Sequence, residues 1–380
     1  MSTFKSNPPP PATVGEKLAM VYIVANALRL SFQQYLSASL FSLPPKSPPR
    51  GVLVASATFR NTFSPTNWRQ HHLTGGSTSD TYKKWINEKP QKDAGYKYEV
   101  EDISSEGMDT RIMWIGKPTA KKIIMYIHGG GFVLPIATHM LQMARYMREE
   151  SEKASGQEVA VAVVEYYCAP AKQFPTPMHQ GVLALNHLLA KGIAPSNISF
   201  MGDSAGGHCT MSILSHILHP YPGVPHVSPI SEPFASAILL SPWVCMDTSF
   251  ESFKKFSHID YITPELGGYW AECALGKGTT EAEVAAGRFH AEAMKAPEEW
   301  WNGLDRIVKF VGITVGAWET LSESIYEFAK RIEAGSGTKV ELVTGEQEVH
   351  DQPPMDFLKK RPAGVVTLSM AKWLSESFRE

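Results

Sequence analysis

Three kinds of residue in this chain can do covalent chemistry together: a serine framed by glycines, a histidine near the end, and a carboxylate ahead of it. The serine is Ser204, within Gly202-Asp203-Ser204-Ala205-Gly206-Gly207, directly after the apolar run Ile198-Ser199-Phe200-Met201 and ahead of a helical pattern over 208–218. Strand, sharp turn and helix in that order make a nucleophile elbow. Gly202 and Gly206 keep Cβ atoms out of the space where strand and helix meet, and the serine hydroxyl stands clear above the strand end. The same turn puts the Ala205 N–H at the start of a helix, facing negative charge that develops on an attacked carbonyl. Gly-x-Ser-x-Gly also occurs in ordinary turns, so its neighbours decide what it means.

A second cluster, His128-Gly129-Gly130-Gly131-Phe132, follows another apolar run, 123–127. Three glycines after a strand let backbone N–H groups turn into a cavity without side chains in the way, as an oxyanion hole demands. A phosphate cradle would need Gly-x-x-x-x-Gly-Lys-Ser/Thr, which the chain lacks. His128 lies on the oxyanion side and reads as an orienter of the loop rather than a base.

A serine nucleophile requires a base that takes its proton and a carboxylate that holds the base's tautomer. In α/β-hydrolases the chain order is serine, acid, histidine, the last two on loops after the last two strands. Glu319, in Trp318-Glu319-Thr320-Leu321, is the first acid beyond the apolar run 307–315, and His350 follows the strand-like run 339–343. The remaining histidines sit in helix patterns, in the region 243–300, or ahead of the acid, and read as packed or solvated side chains. Asp305, before the strand, and Asp351, beside the base, are the alternative acids.

Positioning these groups takes a sheet. Alternating apolar and polar residues over 96–101 and 110–115 suit two half-exposed strands, whereas 123–127, 159–164, 237–240 and 307–315 are nearly continuous apolar runs, the mark of strands buried on both faces. Helical patterns over 139–151, 178–190 and 210–218 lie between them. Buried strands alternating with amphipathic helices predict a mostly parallel sheet wrapped on both faces, with ligands at the carboxyl ends of its strands. Between Trp243 and Trp301 the pattern lapses into an aromatic-rich stretch with no buried strand. It reads as a lid above the sheet, shared with the N-terminal region. The expected division is 1–95 (tail and cap helices), 96–242 (core), 243–300 (cap insertion) and 301–380 (core).

The 380 residues, 43% hydrophobic and 19% charged, suffice for one large core with an accessory region. A net charge of −2 gives no footprint for nucleic acid. Cys168, Cys209, Cys245 and Cys273 lack metal-site spacing and read as free thiols in a reducing compartment. The Pro-rich start over 1–16 is a poor export signal, so the expected location is cytoplasmic. A helix is expected over 18–36, too interrupted by Asn26, Arg29, Gln33 and Gln34 to span a bilayer, with the prolines at 44–49 ending it and a polar region following. It either packs over the mouth of the core or makes peripheral contact with a membrane. A homodimer is a further partner expectation.

The motifs resemble those of the hormone-sensitive-lipase-like branch of α/β-hydrolases. His128-Gly129-Gly130-Gly131-Phe132 and Gly202-Asp203-Ser204-Ala205-Gly206-Gly207 are similar to its two signatures. The segment from Tyr166 to Pro175 resembles the stretch after its fourth strand, and Ser241-Pro242-Trp243 the one after its sixth. The resemblance covers roughly residues 95–380. It implies an α/β fold with a mostly parallel eight-stranded sheet, helices on both faces and a helical cap. It also implies a serine ester hydrolase with Ser204, Glu319 and His350 as triad and Gly130, Gly131 and Ala205 as oxyanion donors. His128, Gly129 and Asp203 would support the site, and Phe132, Trp243, Tyr261 and Trp270 would line the substrate pocket. No metal or cofactor is expected, and the substrate expected is an apolar ester, such as a short acyl ester of a terpenoid, steroid or polyketide. Acyl transfer, cyclisation or elimination on the same site, and a silent binding protein, are the alternatives. Two departures stand out: Glu319 where the family more often has Asp-Pro-Leu, and Cys168 where it usually has Leu.

Overall fold

The computed structural model describes residues 11–40, 46–73, 76–105 and 107–379. Its frame is one eight-stranded sheet, made of β1 (Val100–Ser105), β2 (Met108–Ile115), β3 (Lys122–Ile127), β4 (Val159–Glu165), β5 (Ile198–Asp203), β6 (Ser236–Leu240), β7 (Phe310–Gly316) and β8 (Lys339–Gly345). The strand order is β1-β2-β4-β3-β5-β6-β7-β8. β1 and β2 pair antiparallel, β2 meets β4 antiparallel, and every pairing from β4 through β8 is parallel. The central strands β4, β5 and β6 are buried at every position, as their mostly apolar sequences require of strands covered on both sides.

Helices cover both faces. One face carries α7 (Thr176–Ala190), α8 (Ala205–Leu218) and α12 (Ser322–Ser336). The other carries α4 (Thr78–Ile86), α6 (Thr138–Ser155) and α14 (Val365–Ser377). Short helices α3 (Trp68–His72), α5 (Lys89–Asp93) and α13 (Gln352–Leu358) lie in the connections before α4, β1 and α14. The cap consists of α1 (Val14–Leu40) and α2 (Arg50–Phe63) with α9 (Glu251–Phe256), α10 (Pro264–Leu275) and α11 (Thr279–Ala285). The carboxyl ends of β3, β5, β6, β7 and β8 lie at one edge, immediately before His128, Ser204, Ser241, the Glu319 loop and the His350 loop.

Four expectations need correction. Residues 96–99 are not strand, and β1 starts at Val100. Their alternation comes from sideways docking: Tyr96 donates to Glu149 of α6, and Tyr98 packs on Tyr82. β7 starts at Phe310 rather than at 307, because Leu304–Arg306 form a 3₁₀ turn. The first helix starts at Val14, inside the stretch read as a tail; residues 1–10 and 41–45 lie outside the described residues. The supposedly polar region after the prolines holds α2, whose buried side (Val52, Leu53, Ala55, Ser56, Ala57) is small and interrupted by threonines and arginine.

Within residues 1–95, α4 packs against the sheet. Tyr82 and Trp85 of α4 are fully buried against the sheet, and the Tyr82 hydroxyl donates to the Trp114 carbonyl at 2.6 Å. Two such aromatic side chains contribute on the order of 2–3 kcal/mol each through burial. α1 packs on α2, where the Thr58 hydroxyl donates to Ser31 at 2.8 Å, and it leaves Leu18, Val21, Tyr22, Leu28 and Phe32 exposed. Among the described residues no helix is long and apolar enough to cross a membrane.

Candidate active site

The site begins with strain at Ser204. Its backbone has φ 49° and ψ −116° at the N-cap of α8, a region that costs a non-glycine residue on the order of 1–3 kcal/mol. The surroundings hold it there. Its N–H donates to the Leu240 carbonyl at 2.8 Å, and its own carbonyl accepts from the Trp243 and His208 N–H groups. The flanking glycines are obligatory: a Cβ on Gly206 would lie 1.9 Å from the Ile127 carbonyl oxygen, and one on Gly202 would lie 2.4 Å from the Gly206 carbonyl oxygen. α8 can start this close to β3 and β5 only because nothing projects there.

Above the elbow, His350 Nε2 lies 2.9 Å from the Ser204 hydroxyl oxygen. On the far side of the ring, Nδ1 is 3.7 Å from Oε1 of Glu319, an ion-pair separation longer than a hydrogen bond. The other Glu319 oxygen accepts from the Ser241 hydroxyl at 2.6 Å and from the Gly316 N–H at 2.8 Å, so the carboxylate is anchored by the end of β7 and the turn after β6. Burial lowers the basicity of His350. The carboxylates of Asp351, Glu319 and Asp260 more than offset it, and the pKa is pushed up to about 10. The pocket therefore favours the imidazolium that a serine-to-imidazole proton transfer creates.

Asp260 went unnoticed in the sequence because it sits in the insertion, remote from every motif. It is fully buried and ties the two loops together. One oxygen accepts from the Thr320 N–H at 2.8 Å and from the Thr320 hydroxyl at 3.1 Å. The other accepts from the Tyr261 N–H at 2.8 Å and the His350 N–H at 3.3 Å. Arg60 of α2 donates to the Asp260 carbonyl at 2.5 Å, which couples the N-terminal region to the insertion. No spacing in the chain signals this role.

The glycine loop is fixed from below. Asp203 accepts from the Tyr126 hydroxyl at 2.7 Å and from the Gly129 N–H at 3.0 Å, and burial raises its carboxyl to about 6. The His128 ring is fully buried, with Nε2 3.1 Å from the Thr78 hydroxyl and Nδ1 2.7 Å from the Gly129 carbonyl oxygen. Burial lowers its pKa to about 4, so it is a neutral strut. Gly130 and Gly131 have φ of +106° and +60°. A Cβ on Gly131 would meet the Trp270 ring at 2.4 Å, so a cap side chain lies directly on the loop. Ala205 is fully buried at the first position of α8.

Ser204, His350 and Gly130 face a cavity of about 300 Å³. Tyr261 and Trp270 line it with Leu134, Ile262 and Met355; α2 adds Ala55, Thr58, Phe59 and Phe63, and Leu358 and Lys359 also contribute. Two of the four expected pocket residues do not. Phe132 and Trp243 are buried behind the loop against each other and against His208, because the residue after each motif turns back into the core. The cavity wall from α2 was hidden by its polar appearance. Of the alternative acids, Asp305 is exposed near Gly337 at the opposite end of β7, whereas Asp351 lines the cavity.

A family model described as alpha/beta hydrolase fold matches residues 124–353. An acetyl-hydrolase of Streptomyces hygroscopicus is 27% identical over 122 residues, which is 32% of this chain and 36% of that protein. The chain spans about a third of the length of such curated relatives. Among solved structures, a thermostable esterase from Pseudomonas putida superposes with a TM-score of 0.65 at 16% identity, over 89% of this chain and 98% of that one. An esterase from the bacterial hormone-sensitive lipase family superposes at 0.57 and 22% identity, over 97% of this chain and 98% of that one. These two likenesses are of fold, and the second structure comes from the branch whose signatures the two glycine motifs resemble. With the family model extending over more than half of the residues, from β3 through the His350 loop, this chain belongs to the alpha/beta hydrolase fold family.

Proposed function

We propose that the protein is a serine carboxylic-ester hydrolase acting on an apolar ester. The observation that carries this reading is the 2.9 Å approach of His350 Nε2 to a Ser204 hydroxyl held on a strained elbow, at the floor of a largely apolar cavity. Ser204 attacks the ester carbonyl carbon while His350 takes the hydroxyl proton. The carbonyl electrons move onto oxygen, where the N–H groups of Gly130, Gly131 and Ala205 receive the charge. Collapse expels the alkoxide, to which His350 returns the proton, and leaves an acyl group on Ser204. Water, deprotonated by His350, releases the acid by the same steps. Glu319 orients the ring and favours its charged form. Names among the relatives and neighbours, acetyl-hydrolase and esterase, support the same reaction class.

The lining supports an apolar acyl or alcohol part of modest size, with short acyl esters of terpenoids, steroids or polyketides as the class to screen. The exposed apolar face of α1 supports peripheral contact with a lipid surface from which such substrates are drawn. A fluorophosphonate probe should label Ser204 alone, and Ser204→Ala should abolish both labelling and p-nitrophenyl acetate cleavage while the protein stays folded. Cleavage retained by Ser204→Ala ends the proposal.

A further inference from the structure

Asp351 is a buried carboxyl group that its own helix does not use. It occupies the N-cap of α13 in the left-handed region, φ 45°, where an aspartate ordinarily accepts from the N–H of the second or third helical residue. Those residues are Pro353 and Pro354, which have no N–H to give. The side chain makes no capping bond. It turns instead toward the reaction centre, with Oδ2 3.6 Å from the same His350 Nε2 that meets Ser204. Oδ1 is buried with no hydrogen-bond partner, although the residue is only 4% exposed and lines the cavity. Leaving a buried acceptor unpaired is costly, and native proteins retain one where a ligand completes it.

We propose that Asp351 is a specificity residue that accepts a hydrogen bond from the substrate, so that the preferred esters carry a donor group, hydroxyl or ammonium, within a few bonds of the scissile carbonyl. This rests on the ester-hydrolase reading and narrows it: the substrate is apolar over most of its surface but polar at one point beside the reacting carbon. An ester without the donor leaves the carboxyl unpaired on binding. The discrimination comes from that penalty as much as from the bond gained. Leaving a buried acceptor unpaired corresponds to about tenfold in kcat/KM.

The test compares three esters of nearly one size: ethyl propionate, with no donor; ethyl lactate, with a hydroxyl on the acyl side; and glycol monopropionate, with a hydroxyl on the alcohol side. The wild-type enzyme should prefer at least one hydroxylated ester by about tenfold or more in kcat/KM, and Asp351→Leu should erase that ratio. Asp351→Asn, which keeps an acceptor oxygen, should retain part of it. Asp351→Leu also takes a carboxyl group from beside the buried His350 ring, so circular dichroism is used to confirm that the variant is folded before the ratios are compared. A ratio the same in wild type and Asp351→Leu overturns the proposal, whether turnover of all three esters falls together or none changes. Dissociation constants of the same esters for Ser204→Ala and for Ser204→Ala with Asp351→Leu should show the same loss of preference without turnover. Donor recognition is thereby read separately from ester cleavage.

Discussion

At the scale of single residues, the centre is a histidine among acids. The carboxylates of Asp351, Glu319 and Asp260 surround His350, and together they hold a proton on the ring beyond the ordinary imidazole range. The base must be neutral to act, so a raised pKa displaces the acid limb of activity upward. We expect kcat/KM to climb with pH through and beyond the region where free imidazole titrates, about 6.5. Glu319→Gln removes one carboxylate, so its limb should move toward lower pH while its plateau falls by roughly 10²-fold or more. A pH profile of the two proteins on one ester decides it; an unmoved limb speaks against Glu319 as the partner of His350. Asp260→Ala strips four buried donors of their acceptor. It should lower stability by about 2–4 kcal/mol, measured by denaturant unfolding, and reduce kcat.

At the scale of elements, close approach is what makes the site, and glycine is what permits it. β5 and α8 meet under the Ile127 carbonyl with no room for a methyl group at Gly206. Gly206→Ala should therefore fail to give folded protein, as solubility and circular dichroism would show. Gly131 is a different case, since the obstacle there is the Trp270 ring and the backbone has positive φ. Gly131→Ala should fold, because the ring belongs to the cap, but lose ester cleavage by about 10²-fold or more as the oxyanion loop shifts. Folded protein with undiminished activity would remove Gly131 from the proposed donors. α2 sets the cavity wall through Phe59 and Phe63. Phe59→Ala should move the preferred acyl chain to longer lengths, read from KM across a graded p-nitrophenyl ester series.

At the scale of the whole molecule, α1 stands apart from the packing logic of the rest. It meets α2 through Ser31; Met20, Ala27 and Ser31 are buried, while Val14, Leu18, Val21, Tyr22, Leu28 and Phe32 are more than half exposed. Thr58, bonded to Ser31 on the buried side of α1, also lines the cavity, so α1 is one side chain away from the proposed substrate wall. Replacing Val21, Leu28 and Phe32 by glutamate should leave the melting temperature unchanged and abolish co-sedimentation with phospholipid vesicles. Equal sedimentation of both proteins would argue against the lipid contact.

Local patterns carried much of this molecule in its sequence. An elbow is written within ten residues, because the glycines it needs are dictated by backbone clashes between neighbouring segments. The glycine loop and the unbroken apolar runs of β3 through β7 are legible for the same reason, and chain order alone points to Glu319 and His350. Tertiary structure decided what depends on segments far apart in the chain. Asp260 reaches two loops at once, Trp270 rests on Gly131, and α2 closes the cavity that Phe132 and Trp243 do not line. Asp351 divides between the two: its paired prolines are plain in the sequence, but only the fold aims its uncapped carboxyl at the serine. Backbone sterics act between neighbours and leave a mark on spacing, whereas side-chain contacts across the cap leave none.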